Sequence, residues 1–246
     1  MFTALKNHPF AIEAFFEKSF VLTYAVPKEH LQTLIPECLQ LDTLNDEWAF
    51  IAVAMVQTTG LRPKGFPAFL GNDFFLIGYR VFVRYSNNAG KKLRGLYILR
   101  SETDKTKMKI LGNIFTHYNY IKTDIAQTET DKKTTIQSKK SNFKIEIDNT
   151  VMAVPLPLNS PFKDWKEARR FSGPLPFTFT YDAETRKILI IEGVRENWLP
   201  GPIYITNHRF AFFDTLGIKN PVLANAFIIK NIPYLWKKGK TEIWNK

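Results

Sequence analysis

The chain has 246 residues, 45% hydrophobic and 14% aromatic with 21 phenylalanines, which excludes a disordered protein and provides for a sizeable core. Its single cysteine, Cys38, excludes an internal disulfide and reads as a buried, inert thiol. The net charge of +11 raises nucleic acid or an anionic membrane as partners, but 24 lysines outnumber 10 arginines and fall in separate clusters, so solvated surface charge is expected instead.

The start, MFTALKNHPFAIEAFFEK, mixes His, Glu and Lys into its apolar residues and lacks a small-residue cleavage site, so no signal peptide is read. The longest apolar run, WAFIAVAMV at 48–56, falls well short of the roughly 20 residues of a spanning helix. The expectation is a cytoplasmic protein. SFVLTYAV (19–26) is β-branched and aromatic and predicts a strand. VPKEHLQTLIPE predicts a short helix with Pro27 in its first turn, Leu31, Leu34 and Ile35 on one face, and Pro36 closing it. LQLDTL and WAFIAVAMVQTT flank NDE as a hairpin, and 60–73 is a Gly- and Pro-rich loop.

FFLIGYRVFVRYS and LRGLYILRSE predict strands either side of the turn NNAGKK. Ser101 followed by Asp104 predicts a capping box and a helix to about Leu111, stopped by Gly112. GNIFTHYNYIK (112–122) then predicts a strand, followed by the turn TETDKK and TIQSKKSNFKIEI. SPFKDWKEARRFSG is the clearest helix, with Ser160 as cap, Pro161 first and Gly173 ending it. FTFTY and ILIIEGV form a hairpin around DAETRK, NHRFAFFDTLG predicts a short helix, and VLANAFIIKNI a late strand. No repeat or linker divides the chain. The prediction is therefore a mainly β (α+β) protein, one domain over 1–246, with an antiparallel barrel-like sheet and a few short peripheral helices.

Side chains alternate across a strand. GYRVFVRY puts Arg80, Phe82 and Arg84 on one face and Tyr79, Val81, Val83 and Tyr85 on the other. In 112–122, Tyr118 and Tyr120 share one face and His117 the other. Both patterns leave open which face looks inward. An inward Arg must be paired or bind an anion, because an isolated buried charge is too costly. His8, His30, His117 and His208 are far apart with no ligand spacing among them, so no metal is expected. Without a P-loop, G-x-S-x-G or dinucleotide fingerprint, no cofactor is expected either.

VPKEHLQTLIPECLQLDTLNDEWAFIAVAMV, GYRVFVRY and GLYILRSET resemble the YqjF-like family, a domain of unknown function grouped with the acetoacetate decarboxylase-like superfamily. The resemblance covers roughly residues 15–235. It puts Arg80 at the family's Arg, Glu102 where the family has Asp, and Trp198 of ENWLPGP at its late Trp. It implies a closed antiparallel barrel, conical in that superfamily, holding one small ligand. Arg80 would anchor an anion, Glu102 would orient Arg80 or act as an acid or base, and Tyr118, Tyr120 and Trp198 would complete the ligand site. Glu102, His117 and Lys122 are the catalytic candidates, with His117 displaced by one position from the family's His. In acetoacetate decarboxylase the chemistry rests on a Schiff-base lysine beside a second lysine. Here Lys122 stands alone in the matching segment. The implied function is a pocket for an apolar or carboxylate-bearing metabolite, with lyase-like catalysis left open. The alternative is a non-enzymatic basic surface that binds nucleic acid or anionic lipid. A homo-oligomer is neither required nor excluded.

Overall fold

β-Branched and aromatic runs become long strands here, punctuated by Asn, Gly and Pro turns. The computed structural model describes residues 5–173 and 175–245. The chain opens with β1 (Ile12–Pro27), α1 (Lys28–Gln32), β2 (Gln40–Leu41) and β3 (Trp48–Pro63). β4 (Asn72–Ser86), β5 (Lys92–Thr103), α2 (Thr106–Phe115) and β6 (Tyr120–Lys122) follow. Next come β7 (Ala126–Glu129), β8 (Lys133–Ser138), β9 (Phe143–Asp148) and α3 (Trp165–Ser172). β10 (Phe177–Asp182), β11 (Lys187–Arg195), β12 (Gly201–Pro202) and β13 (Tyr204–Phe210) precede α4 (Ala211–Thr215), β14 (Val222–Trp236) and β15 (Lys240–Ile243).

β1 pairs with β3 and β14, β3 with β4, β4 with β5, β5 with β10, β10 with β11, and β11 with β14, so these strands close a ring. The β5–β10 and β5–β6 pairings are parallel, which corrects the all-antiparallel expectation. Between β5 and β10 the chain runs out through α2, a second sheet and α3, and a connection that long allows a parallel return. The second sheet, in the order β13-β9-β8-β7, shares the main core with one face of β4: Ile136, Ile145 and Phe210 pack with Ile77, Tyr79 and Val81. The other face of β4 looks into the ring, where Phe74 and Leu76 meet Leu189 and Ile191 of the non-adjacent β11. No described helix is long and apolar enough to cross a membrane.

Local expectations are corrected at five places. The hairpin around NDE shrinks to one Leu44–Trp48 bridge, because β2 pairs with β4 instead. Ser101 stays in β5 and Asp104 accepts from the Phe75 amide at 2.8 Å, so neither caps α2. The segment 112–122 is not a strand: α2 runs through Gly112 to Phe115, and only Tyr120–Lys122 is extended. α3 starts at Trp165 with Asp164 as its cap, accepting from the Glu167 amide at 2.7 Å, while Ser160 donates to the Ala224 carbonyl at 2.7 Å. Asn207–Phe210 is strand rather than helix, because its backbone pairs with β9.

Candidate functional site

β4 bears the central side chain. Its register sets Arg80 opposite Ala52 of β3 and Ile98 of β5, both buried and apolar. Gly78, two residues earlier on that inner face, leaves the strand bare, and the guanidinium lies over it: a Cβ there would stand 2.7 Å from Arg80 Nε. Protein surrounds the Arg80 guanidinium while part of the residue's surface stays accessible. Burial disfavours its charge. The facing hydroxyls of Tyr234, Tyr120 and Tyr118 favour it, and Arg195 opposes it. Among the described residues Nε has no hydrogen-bond partner.

Two tyrosines reach this point, Tyr118 from the connection between α2 and β6 and Tyr120 from β6 itself. Asn113 brackets Tyr120 with its side-chain amide, donating to the Tyr120 carbonyl at 2.9 Å and accepting from its N–H at 2.8 Å. The Tyr120 ring lies against Gly112, where any Cβ would collide with it, so this glycine serves packing rather than stopping the helix. Burial pushes the Tyr120 hydroxyl up to about 12 against the pull of Arg80. Burial also raises Tyr118, with Tyr120 and Tyr234 adding to it. Both are neutral hydroxyls at physiological pH and can donate to an anion.

Arg195 of β11 pairs in register with Tyr234 of β14. Its guanidinium stands 4.4 Å from the Trp198 ring and 5.5 Å from the Tyr234 ring, and donates to the Leu175 carbonyl at 3.0 Å. The Tyr234 hydroxyl occupies the space that Gly193 leaves free. Trp198 thus stacks on Arg195, whose charge acts on Arg80, and it lines a separate cleft of about 510 Å³ beside α3.

An apolar chamber of about 270 Å³ lies between α2 and the rim of the ring. Leu76, Met108, Tyr118, Tyr120 and Trp236 line it, with Phe10 and Phe115 in ring contact at 5.6 Å among its walls. Tyr118 and Tyr120 thus border both the chamber and Arg80.

Glu102 is not with them. The register skips Leu99, so Arg100 pairs with Tyr79 and Glu102 with Ile77, on the face of β4 opposite Arg80. Glu102 is sealed from solvent there, ion-paired to Arg100, whose guanidinium covers the Phe212 ring at 3.8 Å. The expected Arg80–Glu102 pair is therefore corrected to Arg100–Glu102. His117 is half-buried within reach of Lys6 and Asp182. Burial lowers its pKa first, and Lys6 next. Lys122 is exposed, paired through its backbone with Thr103. Of the sequence candidates, the fold brings Arg80, Tyr118 and Tyr120 together, touches Trp198 at one remove, and leaves Glu102, His117 and Lys122 elsewhere. Arg195, Tyr234 and the clearing glycines were not anticipated; Arg195 sits three residues before the motif Trp198, the one signal that could have found it. No group of metal-ligating side chains gathers among the described residues.

No curated protein matches the sequence. Acetoacetate decarboxylase from Legionella pneumophila subsp. pneumophila str. Philadelphia 1 superposes with a TM-score of 0.61 at 14% identity, over 95% of this chain and 88% of that one. The enduracididine biosynthesis enzyme MppR complexed with pyruvate gives 0.59 at 11% identity, over 96% and 92%. An acetoacetate decarboxylase-like enzyme from Sphingomonas wittichii RW1 gives 0.53 at 13%, over 96% and 91%. At such identities the likeness establishes the fold. The family DUF2071, described as an uncharacterized conserved protein, matches residues 14–229. The chain belongs to that family and carries the acetoacetate decarboxylase-like fold.

Proposed function

We propose that the protein binds a small carboxylate inside its strand ring, with Arg80 as the anchor and Tyr118, Tyr120 and Tyr234 as hydrogen-bond donors. The ring is read as a barrel-like enclosure within a single domain. One observation carries the reading: Arg80 is enclosed, the charged and titratable groups that act on it are three tyrosines and another arginine, and among the described residues it has no carboxylate in an ion pair. A buried cation in such company lacks its counter-ion, and a bound carboxylate supplies it with charge-assisted hydrogen bonds. The pyruvate held by the fold neighbour MppR supports the ligand class.

The reading includes no Schiff base. Among the described residues no lysine is buried, so none has the desolvated setting that keeps an amine nucleophilic. Nothing specific favours the nucleic-acid or lipid surface.

The test is a thermal-shift and calorimetric screen of the wild-type protein and Arg80→Gln against small carboxylates, 2-oxo acids and neutral carbonyl compounds. A ligand at about 100 times its Kd adds about 2.7 kcal/mol. Binding of anionic compounds that disappears in Arg80→Gln is expected. Equal binding by the variant would overturn the reading.

A further inference from the structure

The position of the guanidinium over Gly78 says what else the ligand must be. Leu76 stands two residues before Gly78 on the same inner face and lines the apolar chamber. Arg80 therefore leans back along β4 over Gly78, in the direction of Leu76 and that chamber. Tyr118 and Tyr120 bridge the two, bordering the chamber with their rings while their hydroxyls act on Arg80. The charged group and the apolar chamber thus share two side chains, Tyr118 and Tyr120.

The geometry points to an amphiphilic carboxylate as the ligand, its head at Arg80 and an apolar tail in the chamber against Leu76, Met108 and Trp236. This inference rests on the carboxylate reading above and deepens it. At about 270 Å³ the chamber lies below the usual range for drug-sized ligands, so it suits a medium-length aliphatic chain or a single aromatic ring. Its length follows from the strands. Val56 pairs with Leu76 and Thr58 with Phe74, so Thr58 lies four residues beyond the level of Gly78, or about 13 Å at about 3.3 Å per residue. At that far wall Thr58 Oγ1 is buried, the residue 1% exposed, and has no partner among the described residues. A pyruvate-sized anion would satisfy Arg80 and leave the chamber unfilled.

The test is calorimetric titration of the full chain with the straight-chain carboxylates from acetate to decanoate, and with the matching primary alcohols. Affinity should rise about fourfold for each added methylene until the chamber is full, then stop rising. Met108→Phe should bring that stop to shorter chains. Leu76→Phe serves the same purpose should the first variant fold poorly. Acetate binding through Arg80 with no gain from chain length would overturn the tail chamber and leave the carboxylate reading standing. No binding by any carboxylate would overturn both. Alcohols that gain as much as carboxylates, with Arg80→Gln indifferent, would show an apolar site unconnected to Arg80 and would also sink the inference.

Discussion

Gly78 and Arg80 share one patch of β4: the guanidinium of Arg80 occupies the space where a side chain at Gly78 would begin, with Nε 2.7 Å and Nη2 3.0 Å from that position. The glycine is not required by its own backbone, which is ordinary strand. It is required by what lies over it.

Gly78→Ala should therefore separate stability from binding. The atoms a new methyl would meet belong to the end of a long, flexible side chain, which can swing aside. The thermal midpoint should change by no more than the equivalent of about 1 kcal/mol. The guanidinium, moved off its bed, should lose carboxylate affinity by tenfold or more in calorimetry. A variant with wild-type affinity would show that the position of Arg80 over Gly78 is incidental.

On the opposite face, Arg100 and Glu102 form an ion pair with a different role. Glu102 is fully sealed while Arg100 keeps partial access to solvent. Arg100→Ala strands a buried carboxylate and should cost about 3–5 kcal/mol, whereas replacing both residues together by apolar ones should recover most of that loss. Ligand affinity of the folded variants should stay at the wild-type level, because a sheet separates them from the ring interior. A fall in affinity with the denaturation midpoint unchanged would return Glu102 to the site.

That contrast shows how far the sequence could be read. The strands β4, β5, β10 and β11 are legible because runs of β-branched and aromatic residues end at turn formers. Arg80 and Glu102 are also visible as charges in apolar strands. Their parity is not. Counting by twos assumes an unbroken register, and the extra residue at Leu99 turns Glu102 to the other face. In 112–122 the signal misleads for another reason. Gly112 reads as a helix stop, yet it sits inside α2 to admit the Tyr120 ring, a contact that depends on the chain folding back on itself. Arg195 and Tyr234 come from strands that meet only when the ring closes, so no local pattern joins them to Arg80.

Acid should weaken the fold in two stages. Burial is the leading cause that lowers the pKa of His8, His117 and His208 below the ordinary 6.5. The native state then favours neutral imidazoles while the unfolded chain takes up protons, so this contribution is present above about pH 6.5 and is lost as pH falls from there. Asp124 and Glu146 act lower. Ser138 and the Lys140 amide hold Asp124 at about 2, and Lys133 and Lys144 hold Glu146 at about 2, so their contribution persists until pH falls below the ordinary carboxylate range toward that value. Urea midpoints should decline between about pH 7 and about pH 5, and replacing His117 and His208 by Asn should flatten that limb. Midpoints that rise with acidification would contradict the burial of these imidazoles.

The sharpest division from the Schiff-base enzymes is chemical. A lysine that attacks a ketone must be unprotonated near neutral pH, which takes desolvation or a second cation close by. Here the interior cations are arginines, which stay protonated and are not nucleophilic, and none of the described lysines is buried. The one lysine of the segment matched to the decarboxylase motif, Lys122, faces solvent on β6. Incubation with pyruvate and borohydride should therefore leave the intact mass unchanged, apart from slow labelling spread over surface lysines. One adduct per chain at a single lysine, formed quickly and blocked by a competing carboxylate, would mean that an amine reaches the ligand. The arginine-centred site would then have to be redrawn around that residue. Absence of the adduct together with carboxylate binding that depends on Arg80 would identify a ring whose anchoring charge remains where a reactive amine does not.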